Sequence, residues 1–140
     1  MMLLDQIKVT RLSQISIDGG DVCHALKSTD ENFHGFGEAY FSWVKANSIK
    51  AWKLHLKMTM NLVVPIGTVH FVFFDPEKNK FRDLEIGNEF YCRITVPPKI
   101  WFGFKGRGDK DSLILNISNI PHDPEEVLRK SKEKIIFNWK

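Results

Sequence analysis

The 140-residue chain has little of what marks secreted, membrane-spanning or disulfide-stabilised proteins. Its two cysteines, Cys23 and Cys92, are too few for a disulfide framework and lack the short spacings of metal or redox motifs, which fits a reducing compartment. No apolar run approaches the roughly 20 residues that a bilayer-spanning helix needs. The first residues lack a basic segment followed by an apolar one. We therefore expect a cytoplasmic protein with no membrane partner.

The chain also lacks a large excess of positive or negative charge. The net charge is only +3, and the lysines and arginines form none of the dense runs or glycine-aromatic patterns of common nucleic-acid modules. We therefore expect no nucleic-acid partner. There is no internal repeat, low-complexity tract or linker, so residues 1–140 are expected to form a single domain.

Short apolar segments are what the chain has in abundance. Hydrophobic residues make up 43% of it, with 11 phenylalanines, which is enough for a packed core. The segments predicted as strands are 7–17, 22–26, 39–44, 49–56, 62–66, 68–74, 81–86, 91–96, 100–104 and 113–118. Turn signals such as Gly67, Gly87-Asn88 and Pro97-Pro98 separate them. Many short strands with turns between them predict an all-β protein with a double-sheet jelly roll.

One segment carries a helical signal. Residues 123–130 begin with Asp123 as a cap and Pro124 in the first turn, and they place acidic residues early and basic residues late. The pattern predicts a short C-terminal helix, with docking rather than catalysis as its role.

The segment around His55 is the most informative for function. If it is extended, Lys53, His55 and Lys57 share one face of the strand and Trp52 and Leu54 share the other. Two cations beside an imidazole disfavour its protonated form, so His55 would stay neutral near pH 7 and accept a proton. On this local pattern alone, a solvated strand face is the favoured interpretation.

From Lys53 to Gly67 the chain resembles the first cupin motif, with its metal ligands exchanged. Lys53 stands at the first histidine of that motif, His55 at the second and Asn61 near the glutamate. The later segment 96–104 resembles the second motif, with Phe102 in place of its histidine. Protonated lysine and phenylalanine cannot coordinate a metal, and one imidazole is too few ligands. The resemblance therefore implies a cupin-type double-stranded β-helix without a metal or other cofactor.

Five segments narrow the resemblance and cover about residues 36–140. They read GEAYFS at 37–42, KAWKLH at 50–55, PPKIWFGF at 97–104, LNISNIP at 115–121 and FNW at 137–139. Together they resemble the short proteins related to dTDP-4-dehydrorhamnose 3,5-epimerase and the nucleotide-sugar 3,4-ketoisomerases. The resemblance implies an isomerase of nucleotide-linked 4-keto-6-deoxy sugars that works in surface polysaccharide biosynthesis.

The same resemblance implies roles for individual residues. His55 falls at the family's general base, Lys53 would stabilise the enolate oxygen, and Tyr40 is the candidate acid. A further set of residues is expected to bind the substrate: Lys57, Asn61, Trp101, Phe102 and Asn116. Trp101 is expected to stack on the nucleobase of the substrate. Packing in the protein core is the competing interpretation of this residue.

The chain also departs from the family pattern. It has Trp52-Lys53 where the epimerases carry an arginine before the base, and it has no tyrosine near Ile120-Pro121. These departures keep open a second hypothesis, a non-catalytic cupin that binds a sugar nucleotide or a partner enzyme of the same pathway. The family resemblance further implies a homodimer. Its interface is expected to include the N-terminal strands and an apolar sheet face that bears Leu54 and Leu56.

Overall fold

Two five-stranded antiparallel sheets face each other in the structure, a computed structural model that describes residues 2–140. The strands are β1 (Lys8–Arg11), β2 (Gln14–Ile15), β3 (Val22–Cys23), β4 (Glu38–Val44), β5 (Ile49–His55), β6 (Met60–Ile66), β7 (Thr68–Asp75), β8 (Lys80–Gly87), β9 (Cys92–Val96), β10 (Trp101–Gly106), β11 (Ser112–Ser118) and β12 (Val127–Arg129). Sheet one has the order β1-β9-β6-β11-β4, and sheet two has the order β12-β5-β10-β7-β8. Strands β2 and β3 form a separate two-stranded ribbon. This architecture confirms the predicted jelly roll.

The predicted strands from residue 39 to residue 118 are all present, with ends shifted by a few residues. Gly67 alone separates β6 from β7, and its φ of 85° lies in the left-handed region that glycine adopts without strain. A second close approach occurs where the pairing of β5 and β10 shifts register between Phe102 and Gly103. A Cβ on Gly103 would lie 2.6 Å from the Cβ of Ala51, so only glycine fits there.

The main core lies between the two sheets. Alternate residues of the strands point inward, and the largest fully buried ones include Phe71, Phe73, Ile94 and Ile100. The core also receives Leu4 and Ile7 from the N-terminal segment, and that segment includes a short 3₁₀ turn, Leu3–Gln6.

A second apolar cluster covers the outer face of sheet two. Trp52, Leu54 and Trp101 of this sheet pack against Ile135 and Trp139 of the C-terminal segment. The indole Nε1 of Trp52 donates a hydrogen bond of 3.1 Å to the Ile135 carbonyl. The prediction that Leu54 belongs to an exposed dimerisation face is therefore wrong, because the chain's own C-terminal segment covers it.

The predicted C-terminal helix is a single 3₁₀ turn, Pro124–Glu126, followed by β12. The predicted start is right, since the Asp123 side chain accepts a hydrogen bond from the Glu125 amide. The helix does not continue because residues 127–129 pair with β5 as the edge strand of sheet two. Eight residues form only a marginal helix, so tertiary pairing outweighs the local preference.

Two groups of neighbouring apolar side chains are among those that remain exposed. On the outer face of sheet one, Phe41 and Trp43 are 64% and 56% exposed. On the β2–β3 ribbon, Ile15, Ile17 and Val22 are each almost half exposed. Across residues 2–140, no helix has the length and apolar character needed to cross a membrane.

Candidate active site

A cavity of about 480 Å³ opens between the two sheets, a size typical of small-ligand sites. The lining residues from sheet two are Lys50, Ala51, Trp52, Lys53, His55, Phe71, Phe102, Phe104 and Arg129, and Lys130 follows directly after β12. The lining residues from sheet one are Tyr40, Ser42, Met60, Leu62, Ile114 and Asn116. Part of this lining is apolar and belongs to the main core. The charged and hydrogen-bonding side chains are therefore few, and they lie on facing walls.

His55 is the last residue of β5 and is only 5% exposed. Its Nδ1 lies 2.6 Å from Oε2 of Glu126, a carboxylate that is 2% exposed. The other oxygen of Glu126, Oε1, accepts hydrogen bonds of 3.0 Å from the amides of Lys57 and Met58. Three donors thus hold the carboxylate, and the carboxylate in turn holds the imidazole.

The charge states of this pair follow from its surroundings. Burial lowers the pKa of His55, and the Lys53 and Arg129 charges add to the effect, although the Glu126 carboxylate opposes it. Burial opposes ionisation of Glu126, but the hydrogen bonds from His55 and the two amides outweigh it and lower the pKa of Glu126. The pair at neutral pH is a carboxylate and a neutral imidazole. With Nδ1–H donated to Glu126, the lone pair of Nε2 is left to accept a proton.

Basic residues line the same cavity as the imidazole. Lys53 lies two residues before His55 on β5. Arg129 lies opposite Lys53 where β12 pairs with β5. Burial, followed by the Arg129 and Lys50 charges, lowers the pKa of Lys53. Lys130 also lines the cavity, but its Nζ lies 4.7 Å from the centre of the Trp101 ring, which belongs to the outer cluster. Lys50, Lys53 and Arg129 give the cavity a positive potential that attracts an anionic ligand.

The facing wall carries a phenol and an amide. Tyr40 on β4 and Asn116 on β11 are partners in the register of sheet one, and Asn116 Nδ2 donates a hydrogen bond of 3.0 Å to the Tyr40 hydroxyl. Tyr40 and His55 line the same cavity from different sheets. A ligand in the cavity would meet a proton acceptor on one side and a phenol on the other.

Five of the eight predicted site residues line this cavity. They are Lys53, His55, Tyr40, Phe102 and Asn116. The Phe102 ring stacks on the His55 ring, with centroids 5.8 Å apart and planes inclined by 17°. Phe102 therefore packs against the imidazole in the position where the metal-binding cupin motif has a histidine.

The other three predicted residues do not reach the cavity. Lys57 lies beyond the end of β5, so the strand alternation that would align it with His55 has already stopped. Asn61 is buried outside the cavity and bonds Thr95 and the Asn32 carbonyl. Trp101 is a core residue of the outer cluster, as the competing interpretation held. The structure therefore places these three residues away from the cavity, and their contact with a substrate stays an untested prediction.

Three residues at the site escaped sequence reasoning, namely Glu126, Arg129 and Lys130. All belong to the segment predicted as a docking helix. Glu126 is 71 residues away from His55 along the chain, and no spacing rule links the two. The available signal was the run Val127-Leu128-Arg129, whose β-branched and apolar residues suit a strand that pairs with β5.

The cupin positions do not suit a metal in this chain. Lys53, which would have to lose a proton to coordinate, lines the cavity beside His55, and the apolar ring of Phe102 covers the imidazole. Within residues 2–140, no three histidine, cysteine, aspartate or glutamate side chains are grouped as a metal centre would require. Absence of a metal remains a prediction, and elemental analysis of protein purified without chelator tests it.

Comparison with known proteins points to one group of enzymes. No protein-family model matches the chain. A dTDP sugar isomerase from Desulfovibrio desulfuricans G20 is 34% identical to this chain and superposes on it with a TM-score of 0.91. The superposition covers 96% of this chain and 91% of the isomerase. The spore coat polysaccharide biosynthesis protein SpsL of Bacillus subtilis strain 168 is 23% identical over 98% of this chain and 97% of its own length. The fold is also that of QdtA, a sugar 3,4-ketoisomerase from Thermoanaerobacterium thermosaccharolyticum, which is 15% identical, covers 94% of this chain and 93% of its own, and has a TM-score of 0.78.

Proposed function

The chain belongs to the cupin-fold family of dTDP-sugar isomerases and epimerases, and on that premise we propose that it moves a proton on a nucleotide-linked 4-keto-6-deoxy sugar. The observation that carries the proposal is the buried His55–Glu126 pair at a cavity lined by Lys50, Lys53 and Arg129. A neutral imidazole with a held tautomer is the group that this chemistry needs. The work of the protein would be in polysaccharide biosynthesis in the cytoplasm.

The reaction begins with proton removal next to the carbonyl. His55 Nε2 takes the proton from C3, and the electron pair of the C–H bond moves toward the C4 carbonyl, whose oxygen becomes an enolate. The Lys53 ammonium stabilises the negative charge on that oxygen. Glu126 holds the tautomer of His55 and stabilises the imidazolium that forms.

The fate of the enolate decides the product. If Tyr40 returns a proton to C3 from the facing wall, the configuration at C3 inverts and the enzyme is an epimerase. If the proton returns to C4 while the C3 hydroxyl passes its own proton to the C4 oxygen, the carbonyl moves to C3 and the enzyme is a 3,4-ketoisomerase. Both outcomes use the same base, and placement of the base and the phenol on facing walls supports the first.

The nucleotide portion of the ligand would bind to the basic side of the cavity. Lys50 and Arg129 provide positive charges that a diphosphate neutralises, and arginine suits the geometry of phosphate oxygens. Phe102 and Asn116 would contact the sugar from opposite walls.

The test is exchange with solvent. The protein is incubated in D₂O with dTDP-, UDP- and GDP-linked 4-keto-6-deoxy sugars, and NMR follows deuterium at C3 and C5 together with the product formed. We expect exchange in the parent and a loss of at least about 10²-fold in His55→Asn, since asparagine fills the site without accepting a proton.

His70→Asn is a matched control for that variant. His70 is also buried and lies 2.6 Å from a carboxylate, Asp83, but it does not line the cavity and its ring packs against Phe137 and Trp139. The control should retain exchange. If the parent binds a sugar nucleotide but exchanges no proton in any of them, the protein is a binding module and the enzymatic proposal fails.

We further propose that two copies form a homodimer. Phe41 and Trp43 stand beside Leu113 and Leu115 on the outer face of sheet one, and this face forms an apolar surface. The β2–β3 ribbon exposes further apolar side chains, and a two-stranded ribbon is marginal in water unless something packs against it. A second copy would cover both.

A further inference from the structure

One buried polar atom at the cavity has no partner. The Asn116 side chain is only 2% exposed and lines the cavity, and its Nδ2 donates to Tyr40. Its Oδ1 is buried and accepts no hydrogen bond from any residue of the described chain. Leu62 and Ile114, which also line the cavity near it, offer no donor. A buried amide oxygen without a donor is unfavourable, so it calls for one from a ligand.

We propose that Asn116 selects sugars that keep a hydroxyl on the ring carbon beside the reacting one, and that it aims the Tyr40 proton at the same ligand. This inference rests on the proposed function and identifies the substrate class more closely. With C3 as the reacting carbon and C4 as the carbonyl, the hydroxyl is the one on C2. A 2-deoxy sugar would leave Oδ1 unpaired.

The geometry of one amide couples the two roles. Nδ2 donates to a lone pair of the Tyr40 oxygen, so the phenol O–H is free to point toward the ligand instead of toward Asn116. Oδ1 is fixed on the same rigid group, next to Nδ2. A ligand hydroxyl that donates to Oδ1 therefore lies close to the atom that faces Tyr40, as C2 lies next to C3.

The first experiment measures binding and needs no turnover. Affinities of dTDP-glucose and its 2-deoxy analogue are compared by calorimetry for the parent and for Asn116→Leu. We expect the parent to prefer the 2-hydroxy ligand by about 10- to 100-fold, the range expected when a buried acceptor loses its donor. Asn116→Leu should bind both ligands within about twofold of each other, because no acceptor remains to distinguish them.

The second experiment separates the two halves of the amide. Asn116→Asp keeps an acceptor but cannot donate to Tyr40, and its carboxylate instead draws the phenol proton away from the ligand. This variant should keep the preference for the 2-hydroxyl while formation of the C3 epimer slows by about 10-fold or more. A residue that only supports the fold would not separate these two readouts.

Asn61→Leu is the matched control. It removes a buried amide from the neighbouring strand of the same sheet, but that amide is fully bonded to Thr95 and Asn32 outside the cavity. It should lower thermal stability and leave the ligand preference unchanged. If the parent shows no preference for the 2-hydroxyl, or if Asn116→Leu retains that preference, this inference is overturned even where the parent exchanges protons. Loss of exchange in all proteins would instead overturn the proposed function.

Discussion

At the scale of single residues, the His55 imidazole and the Glu126 carboxylate are best treated as one unit. Neither side chain has the required form alone, because a buried imidazole without Glu126 has no fixed tautomer and a buried carboxylate without its three donors would be costly. The two backbone amides determine which oxygen of the carboxylate contacts the imidazole. They occupy Oε1 of Glu126 and leave Oε2 for the imidazole.

Glu126→Gln should inactivate the protein while the fold is kept. The Lys57 and Met58 amides require an oxygen, so the glutamine NH₂ faces His55 Nδ1 and donates to it. His55 then carries its proton on Nε2 and cannot act as a base there. The corresponding carboxylate-to-amide change in serine proteases costs about 10⁴-fold, and we expect a loss of about 10²–10⁴-fold in deuterium exchange.

Glu125→Gln provides the control for that change. Glu125 lies next to Glu126 in the same 3₁₀ turn but is exposed, so the same substitution there should leave exchange unaltered. Circular dichroism and thermal melting check that both variants are folded. Full activity in Glu126→Gln would contradict the assignment of tautomer control to this carboxylate.

The pH dependence of exchange follows from the sign of the His55 shift. Burial, aided by Lys53 and Arg129, lowers the pKa of His55 below its ordinary value of 6.5, although Glu126 opposes the shift. The base is therefore neutral and active at pH 7, and the rate should fall as pH drops through a midpoint below 6.5. Exchange rates measured from pH 4.5 to 8.5 give that midpoint. A midpoint above 6.5 would mean that the carboxylate outweighs burial.

The residues of the site were only partly predictable. Strand alternation correctly placed Lys53 and His55 on one face, since both lie within β5, and it failed for Lys57 because β5 ends at His55. Where a strand ends depends on its partners in space. Glu126 shows the same limit more strongly, because its contact with His55 joins residues 71 positions apart and depends entirely on how β12 pairs with β5.

At the scale of elements, the C-terminal segment from residue 124 to residue 139 has two functions. Its first part supplies Arg129 to the cavity and Glu126 to the His55 imidazole, and its second part, from Ile135 to Trp139, covers the outer face of β5. Trp52 links the two parts, since its amide and carbonyl bond Lys130 while its indole bonds Ile135. The element that completes the site is thus held by packing on the opposite face of the same sheet.

Ile135→Ala tests this cover. Ile135 is 5% exposed within the outer cluster, so its truncation should destabilise the protein by about 2–4 kcal/mol. Ile136→Ala removes the same atoms from a side chain that is 79% exposed and should change stability by no more than about 0.5 kcal/mol. Urea unfolding followed by tryptophan fluorescence measures both. Equal effects of the two substitutions would show that the segment does not pack as described.

Local sequence signals predicted residues 123–130 poorly because the local preference for a helix conflicts with the tertiary pairing of β12 with β5. The Asp123 cap and the proline after it are real features of a helix start, and the structure uses them for one turn. The pairing of three residues with β5 then outweighs continued helix formation. The strands of both sheets were predictable because alternation, β-branched residues and glycine turns all favour the same conformation there.

At the scale of the whole molecule, the remaining question is what covers sheet one. The C-terminal segment protects the outer face of sheet two, and the loop that holds Ala25, Asp30 and Asn32 binds Arg93 and Asn61 on part of sheet one. The part formed by β4 and β11 has no such cover among residues 2–140. Because β4 is an edge strand and also carries Tyr40, a dimer through this face would lie close to the cavity.

The homodimer is tested at Trp43. This side chain is 56% exposed and belongs to the apolar surface, and a lysine there would place a charge in the buried part of an interface, where the loss of one aromatic anchor often costs about 2 kcal/mol or more. Light scattering at micromolar concentration should give a dimer for the parent and a monomer for Trp43→Lys. Ile136→Lys, which adds the same charge to a more exposed position outside this face, should stay dimeric. A monomeric parent would rule out the dimer, and a dimeric Trp43→Lys would place its interface elsewhere.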